Sequence, residues 1–266
     1  MFRRHPGLIW VAPLALTGLF AAAAALEGAF RFGLVFLVLA YTAAPVWCAY
    51  RKGVGPAKRP TALDFVCVLL LWLPLEFGAG AAFVPRHAQG VLHSAAYLAA
   101  ILLGLTVFTG FRQFGGLKIA LPRRAMDFWL PLVGYIAVAP ALAALGIALG
   151  FLPPPHAPRA AAHTMAGALG GIFLLTALPE EILFRSLIQN LLMQRFGETT
   201  STLVIASAIF GCAHLDNGPQ ALPNWRYAIL ATIAGFAYGK VFQKASSVCS
   251  SALLHMLVDW TKHYFF

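Results

Sequence analysis

The sequence predicts an all-α polytopic membrane protein, a bundle of eight or nine transmembrane helices with its N-terminus inside. Three observations lead there. Of 266 residues, 60% are hydrophobic and only 11% charged, with a mean hydropathy of +0.78; a soluble domain of this size carries about 25% charged residues. The apolar residues fall in repeated runs of about 18 or more, the length a helix needs to cross a bilayer. The alternating segments of a transmembrane β-barrel, roughly ten residues each, are absent. Finally, Lys and Arg gather between the runs on alternate sides.

Taken in order, Met1–Gly7 carries Arg3 and Arg4 ahead of an apolar run, Leu8–Leu26. A cleaved signal with small residues at Ala21–Ala25 and a retained first span both fit this pattern. The retained span is preferred because the rest of the chain is itself a membrane domain. The second run is Phe32–Tyr50, and the third follows Asp64 to about Phe83. The fourth is Val91–Thr109 and the fifth Phe128–Phe151, which stops at Pro153-Pro154-Pro155 because proline cannot continue a helix. The sixth, about His163–Arg195, is longer than one crossing needs, and Pro179 in its middle should kink it. Thr200–His214, Tyr227–Phe242 and Ser246–Lys262 complete the set.

With the N-terminus inside, the inner loops receive Arg3, Arg4, Arg51, Lys52, Lys58, Arg59, Arg112, Lys118, Arg123, Arg124, Arg195, Lys240 and Lys244. The outer loops receive Arg31, Arg86, Arg159, Arg226 and Lys262. Thirteen against five follows the positive-inside rule and accounts for the net charge of +10 without nucleic acid. Arg31, Arg86 and Lys262 are expected to snorkel to the interface. The expected organisation is one integral membrane domain in two parts. Residues 1–160 hold spans one to five, and residues 161–266 hold the spans that carry the chemistry. Cys48, Cys67, Cys212 and Cys249 form no CxxC pair and read as small hydrophobes.

The chemistry centres on Leu178-Pro-Glu-Glu-Ile-Leu-Phe-Arg185. A charged group at the centre of a membrane helix costs roughly 2.5–3.5 kcal/mol and reads as functional by default. Glu181 and Arg185 are four apart and pair on one helix face. Glu180 projects about 100° away from that pair, available for chemistry. Two more pairs at the same spacing follow, Phe210 with His214 and His255 with Asp259. Lipid-facing ionisable groups are costly, so these faces should converge, bringing Glu180, His214, His255 and Asp259 to one polar cavity. Such a set suits hydrolysis. A carboxylate takes a proton from water, one histidine orients that water, and a second donor stabilises the oxyanion of an amide. Glu181, Arg185 and Phe210 are assigned structural support. Glu76 and His93, in the earlier spans, read as structural or cavity-lining.

The three ordered motifs, Glu180-Glu-x-x-x-Arg185, Phe210-x-x-x-His214 and His255-x-x-x-Asp259, resemble the signature of the CAAX-protease and bacteriocin-processing (CPBP) family. These are glutamic-type intramembrane proteases that include the prenyl-protein endopeptidases. The resemblance covers about residues 165–262, and Gly235–Lys240 and Ser246–Leu254 resemble the family's last core helices. It implies that Glu180 is the general base, that His214 holds the water, and that His255 and Asp259 contribute to the oxyanion site. The prenyl-protein endopeptidases carry asparagine where this chain has Asp259. An ionised Asp259 would repel an oxyanion, so it must be protonated, pair with His255 or orient it.

The expected activity is therefore an intramembrane endopeptidase that hydrolyses a peptide bond in a membrane-anchored protein or peptide, in a bacterial inner membrane. Two imidazoles and a carboxylate, His214, His255 and Glu180, are ordinary zinc ligands, but no local spacing demands a metal and none is expected. Gly-x-Ser-Gly and His-Glu-x-x-His motifs are absent. Two rival readings remain, a transporter or proton relay and a catalytically silent family member acting as an immunity or scaffold protein. The clustering of ionisable groups in the last hundred residues argues against the transporter.

Overall fold

The computed structural model describes residues 1–218 and 220–266, and every regular element among them is helical. Among the described residues the longer helical segments fall on the apolar runs. They are α1 (Val11–Leu26), α2 (Phe32–Lys52), α3 (Ala62–Glu76), α4 (Gln89–Leu105), α5 (Met126–Ala148), the long α6 (Ala162–Phe196), α7 (Thr200–Cys212), α8 (Trp225–Lys244) and α9 (Val248–Phe265). Five segments are long and apolar enough to cross a bilayer: Pro6–Leu26, Phe32–Lys52, Arg86–Phe111, Met126–Ala148 and Ala162–Phe196. Large hydrophobic side chains point outward from these rods, including Leu19, Phe36, Ile136 and Leu175, each more than 60% exposed. In water such a belt would drive association, whereas in a bilayer it is the expected surface.

Two departures from the periodicity have physical causes. The third run ends at Glu76 rather than near Phe83, because the chain turns at Gly78 (φ 59°) and Gly80 (φ 88°), in the left-handed region that glycine favours. The kink expected at Pro179 takes the form of two wider turns. Phe173–Ala177 and Ile182–Gln189 are π-helical and bracket the short α-helical piece Leu178–Glu181. A π turn absorbs one extra residue and so accommodates a backbone position that lacks its N–H.

The helices form two compact units, Met1–Gly116 and Leu117–Phe266, so that α5 packs with the C-terminal helices. In the first unit α1 packs on α2 and α4, and α3 on α2 and α4. Its apolar core runs through Phe20, Ala24, Leu34, Val38 and Leu92. The buried Arg112 guanidinium donates to both oxygens of Asp64, at 2.7 and 3.2 Å, and Asp64 also closes the capping box of Thr61 at the start of α3.

In the second unit α8 packs along α7, while α5 and α6 flank α9. Side-chain caps set the helix starts: Thr199 accepts from Thr202 N, Asn224 from Tyr227 N and Ser247 from Cys249 N. Asp127, fully buried in the first turn of α5, accepts from the backbone N–H groups of Arg123, Arg124 and Ser246 and from the Ser246 hydroxyl. One carboxylate thereby ties α5 to the junction of α8 and α9. Replacing Asp127 with Ala strands these donors, and the expected loss is at least about 2 kcal/mol. Thermal unfolding of the detergent-solubilised protein checks this, with the exposed Asp216→Ala variant expected to melt like wild type.

Candidate active site

The cluster is built on three rods, α6, α7 and α9, with α8 behind them. Glu181 and Arg185 on α6 are both completely buried and bond at 3.0 Å, Arg185 Nε donating to Glu181 Oε2. The guanidinium also lies over the Phe210 ring at 4.7 Å and the Tyr238 ring at 5.9 Å. Aromatic faces are a suitable environment for a weakly hydrated planar cation. Phe210, expected only to pack, is the hub of this stack, touching Phe184, His214, Tyr238 and His255 at ring-centroid separations of 4.7 to 6.1 Å.

His255, 3% exposed, meets carboxylates on both sides. Its Nδ1 is 3.3 Å from Glu181 Oε1, while its Nε2 is 3.4 Å from Asp259 Oδ2 and 3.9 Å from Glu180 Oε2. A doubly protonated imidazole donates from both nitrogens and so suits this setting. Three carboxylates are thus faced by the His255 ring and the Arg185 cation. Asp259 pairs with His255, one of the three options open to it from the sequence.

Exposure separates the acids. The Glu181 side chain is 0% exposed, whereas Glu180 is 24% and Asp259 28% exposed. Glu181 is committed to structure and Asp259 lines cavity space, whereas Glu180 is partly exposed with its Oε2 buried and lines neither cavity described below. His214 lies just past the end of α7, 7% exposed, with Nδ1 2.8 Å from the Phe210 carbonyl. A carbonyl only accepts, so Nδ1 carries the proton, and the neutral ring offers Nε2 as an acceptor. His214, His255 and Asp259 line one cavity of about 70 Å³ together with Tyr227, Tyr238 and Lys262. A second cavity of about 480 Å³ meets it at Asp259 and Lys262 and extends along Ala168, Ile172 and Thr176 of α6. Thr176 stands one turn before Glu180.

Periodicity missed three residues. The Tyr238 ring stacks on His255 at 4.7 Å and 22°, and Tyr227 meets His214 edge-on at 4.7 Å. The Lys262 ammonium sits 4.1 Å from the Tyr227 ring centre and 5.4 Å from that of Phe151, turned into the unit rather than out to the interface. One signal was present in the sequence, the two glycines that flank Tyr238 by position, Gly235 and Gly239. A Cβ on Gly235 would come within 2.9 Å of Phe210 and 3.4 Å of Arg185 Nη2, and one on Gly239 would overlap Leu203. These glycines bring α8 close enough to stack Tyr238 behind the histidine. Among the described residues, no group of three or more His, Cys, Asp or Glu side chains is arranged to hold a metal ion.

Residues 162–261 match the family model described as type II CAAX prenyl endopeptidase Rce1-like. No curated protein and no solved structure gives a significant match to the chain. The matched segment runs from the start of α6 nearly to the end of α9, and it contains Glu180, Glu181, Arg185, Phe210, His214, His255 and Asp259. The five apolar spans mark an integral, multi-pass membrane protein. The three motifs of the site thus all fall inside the stretch that is similar to the Rce1-like type II CAAX prenyl endopeptidases.

Proposed function

We propose that the chain is a glutamic-type intramembrane endopeptidase acting on a membrane-anchored protein or peptide in a bacterial inner membrane. One observation carries the reading. Glu180, the more exposed of the two adjacent glutamates, stands 3.9 Å from the Nε2 of His255, an imidazole that lines one cavity with His214 and Asp259. A water between Glu180 and the substrate carbonyl gives its proton to the Glu180 carboxylate as its oxygen bonds to the carbonyl carbon. The carbonyl π electrons move onto oxygen, and the His255 N–H donates to that oxyanion. His214, with Nε2 as acceptor, holds the attacking water. When the tetrahedral centre collapses, the C–N bond breaks and Glu180 returns the proton to the leaving amine. Asp259 is a positioning residue that fixes the His255 ring, and Glu181 with Arg185 fixes the ring from its other edge.

The roles separate on mutation. Glu180→Gln lowers cleavage about 10²–10⁴-fold while leaving thermal stability unchanged. The readout is a membrane-protein fragment, found by mass spectrometry in cells carrying wild type and absent from cells carrying the variant. An unchanged fragment pattern would refute the reading. Arg185→Met strands the buried Glu181 carboxylate and costs about 3–5 kcal/mol of stability, seen as early unfolding in detergent. Asp259→Ala loses more activity than Asp259→Asn, because asparagine still offers His255 an acceptor. Equal loss in both variants would remove the positioning role.

A further inference from the structure

The two ends of the C-terminal unit differ in charge and in packing. At one end the start of α5 meets the junction of α8 and α9. There Lys118 Nζ donates to the carbonyls of Phe242 and Gln243 at 2.6 and 2.9 Å, the Ser247 hydroxyl donates to the Ala120 carbonyl, and Asp127 holds Ser246. This end carries Lys118, Arg123, Arg124, Lys240 and Lys244, and the C-terminal turn of α6 adds Arg195. At the other end Arg226 donates to the Gly150 carbonyl and His156 N donates to the Phe265 carbonyl. That end carries Arg159, Arg226 and Lys262, of which Lys262 is turned over Tyr227. Basic residues near span ends are retained in the cytoplasm, so the six-cation end is the cytoplasmic one.

The cavities lie toward the opposite end. The smaller reaches Phe151, Leu152, Tyr227 and Phe266, and the larger runs along the first half of α6 to His263. Between the site and the basic end the side chains are buried. Arg185, Gln189, Leu191, Val248, Ser250 and Ser251 are all at most 1% exposed. We infer that the site is entered from the extracytoplasmic side, and that its substrates are membrane-anchored polypeptides cut in a segment already moved across the membrane. A lipidated tail displayed in the cytoplasm would meet the closed end. This inference rests on the peptidase reading for the cleavage itself, but not for the side of entry.

The test uses the full-length chain in intact cells, with Cys48, Cys67, Cys212 and Cys249 replaced by Ser and one cysteine added at a time. A membrane-impermeant maleimide should label Ala157→Cys and the cavity-lining Thr176→Cys about tenfold faster than Glu198→Cys, which reacts at full rate only after lysis. Faster labelling of Glu198→Cys in intact cells overturns the orientation. Protection of Thr176→Cys while Ala157→Cys reacts overturns the outward opening. New termini found with wild type and absent with Glu180→Gln should map to extracytoplasmic flanks of membrane anchors, and cytoplasmic flanks would overturn the substrate class. No difference between wild type and Glu180→Gln would refute the peptidase reading and the substrate class with it, while the labelling pattern still decides the side.

Discussion

The site depends on a charge balance held out of contact with bulk solvent. Arg185 and Glu181 are paired at 3.0 Å inside the unit, and the remaining face of Glu181 is taken by His255 at 3.3 Å. Neither ion could sit there alone, because an uncompensated buried charge costs several kcal/mol. The pairing therefore fixes α6 against α9, and aromatic faces from α7 and α8 complete the enclosure of the guanidinium. With one carboxylate spent in this way, its neighbour Glu180 is presented at a defined distance from the same imidazole. Adjacent residues 100° apart on a helix cannot share one environment, and the site uses that difference.

The backbone of α6 serves the same end. Two π turns on either side of Leu178–Glu181 offset the hole that Pro179 leaves in the hydrogen-bond ladder, and they do so without breaking the rod. π turns are often found at functional sites because they re-aim a few side chains while leaving the helix intact. Here the re-aimed segment contains both glutamates and the arginine.

Much of this was legible in the sequence, for reasons that can be named. Four-residue spacing shows which side chains share a helix face, and it placed Glu181 with Arg185 and His255 with Asp259. Hydrocarbon excludes unpaired charge, which predicted that these faces would meet. Spacing says nothing about which neighbouring helix fills the remaining space. The place of Tyr238 behind His255 goes with close approach of α8 at Gly235, Gly239 and Gly211, where an added Cβ would overlap the Thr232 hydroxyl. Lys262 looked like an interfacial anchor because its position near a helix end is all that one dimension shows. Its inward turn depends on Tyr227 and Phe151, which are distant in sequence and adjacent in space. The early end of α3 turned on two left-handed glycines that a count of apolar residues passes over.

The buried side chains behind the Glu180–His255 cluster have a consequence for the cell. A hydrolase inside a bilayer must admit water, and a wet shaft open at both ends would let ions leak down their electrochemical gradient. Arg185, Gln189 and the serines Ser250 and Ser251 are buried between the cluster and the basic end. On the proposed peptidase reading, a chamber closed at that end would wet the middle of the membrane while the membrane still insulates.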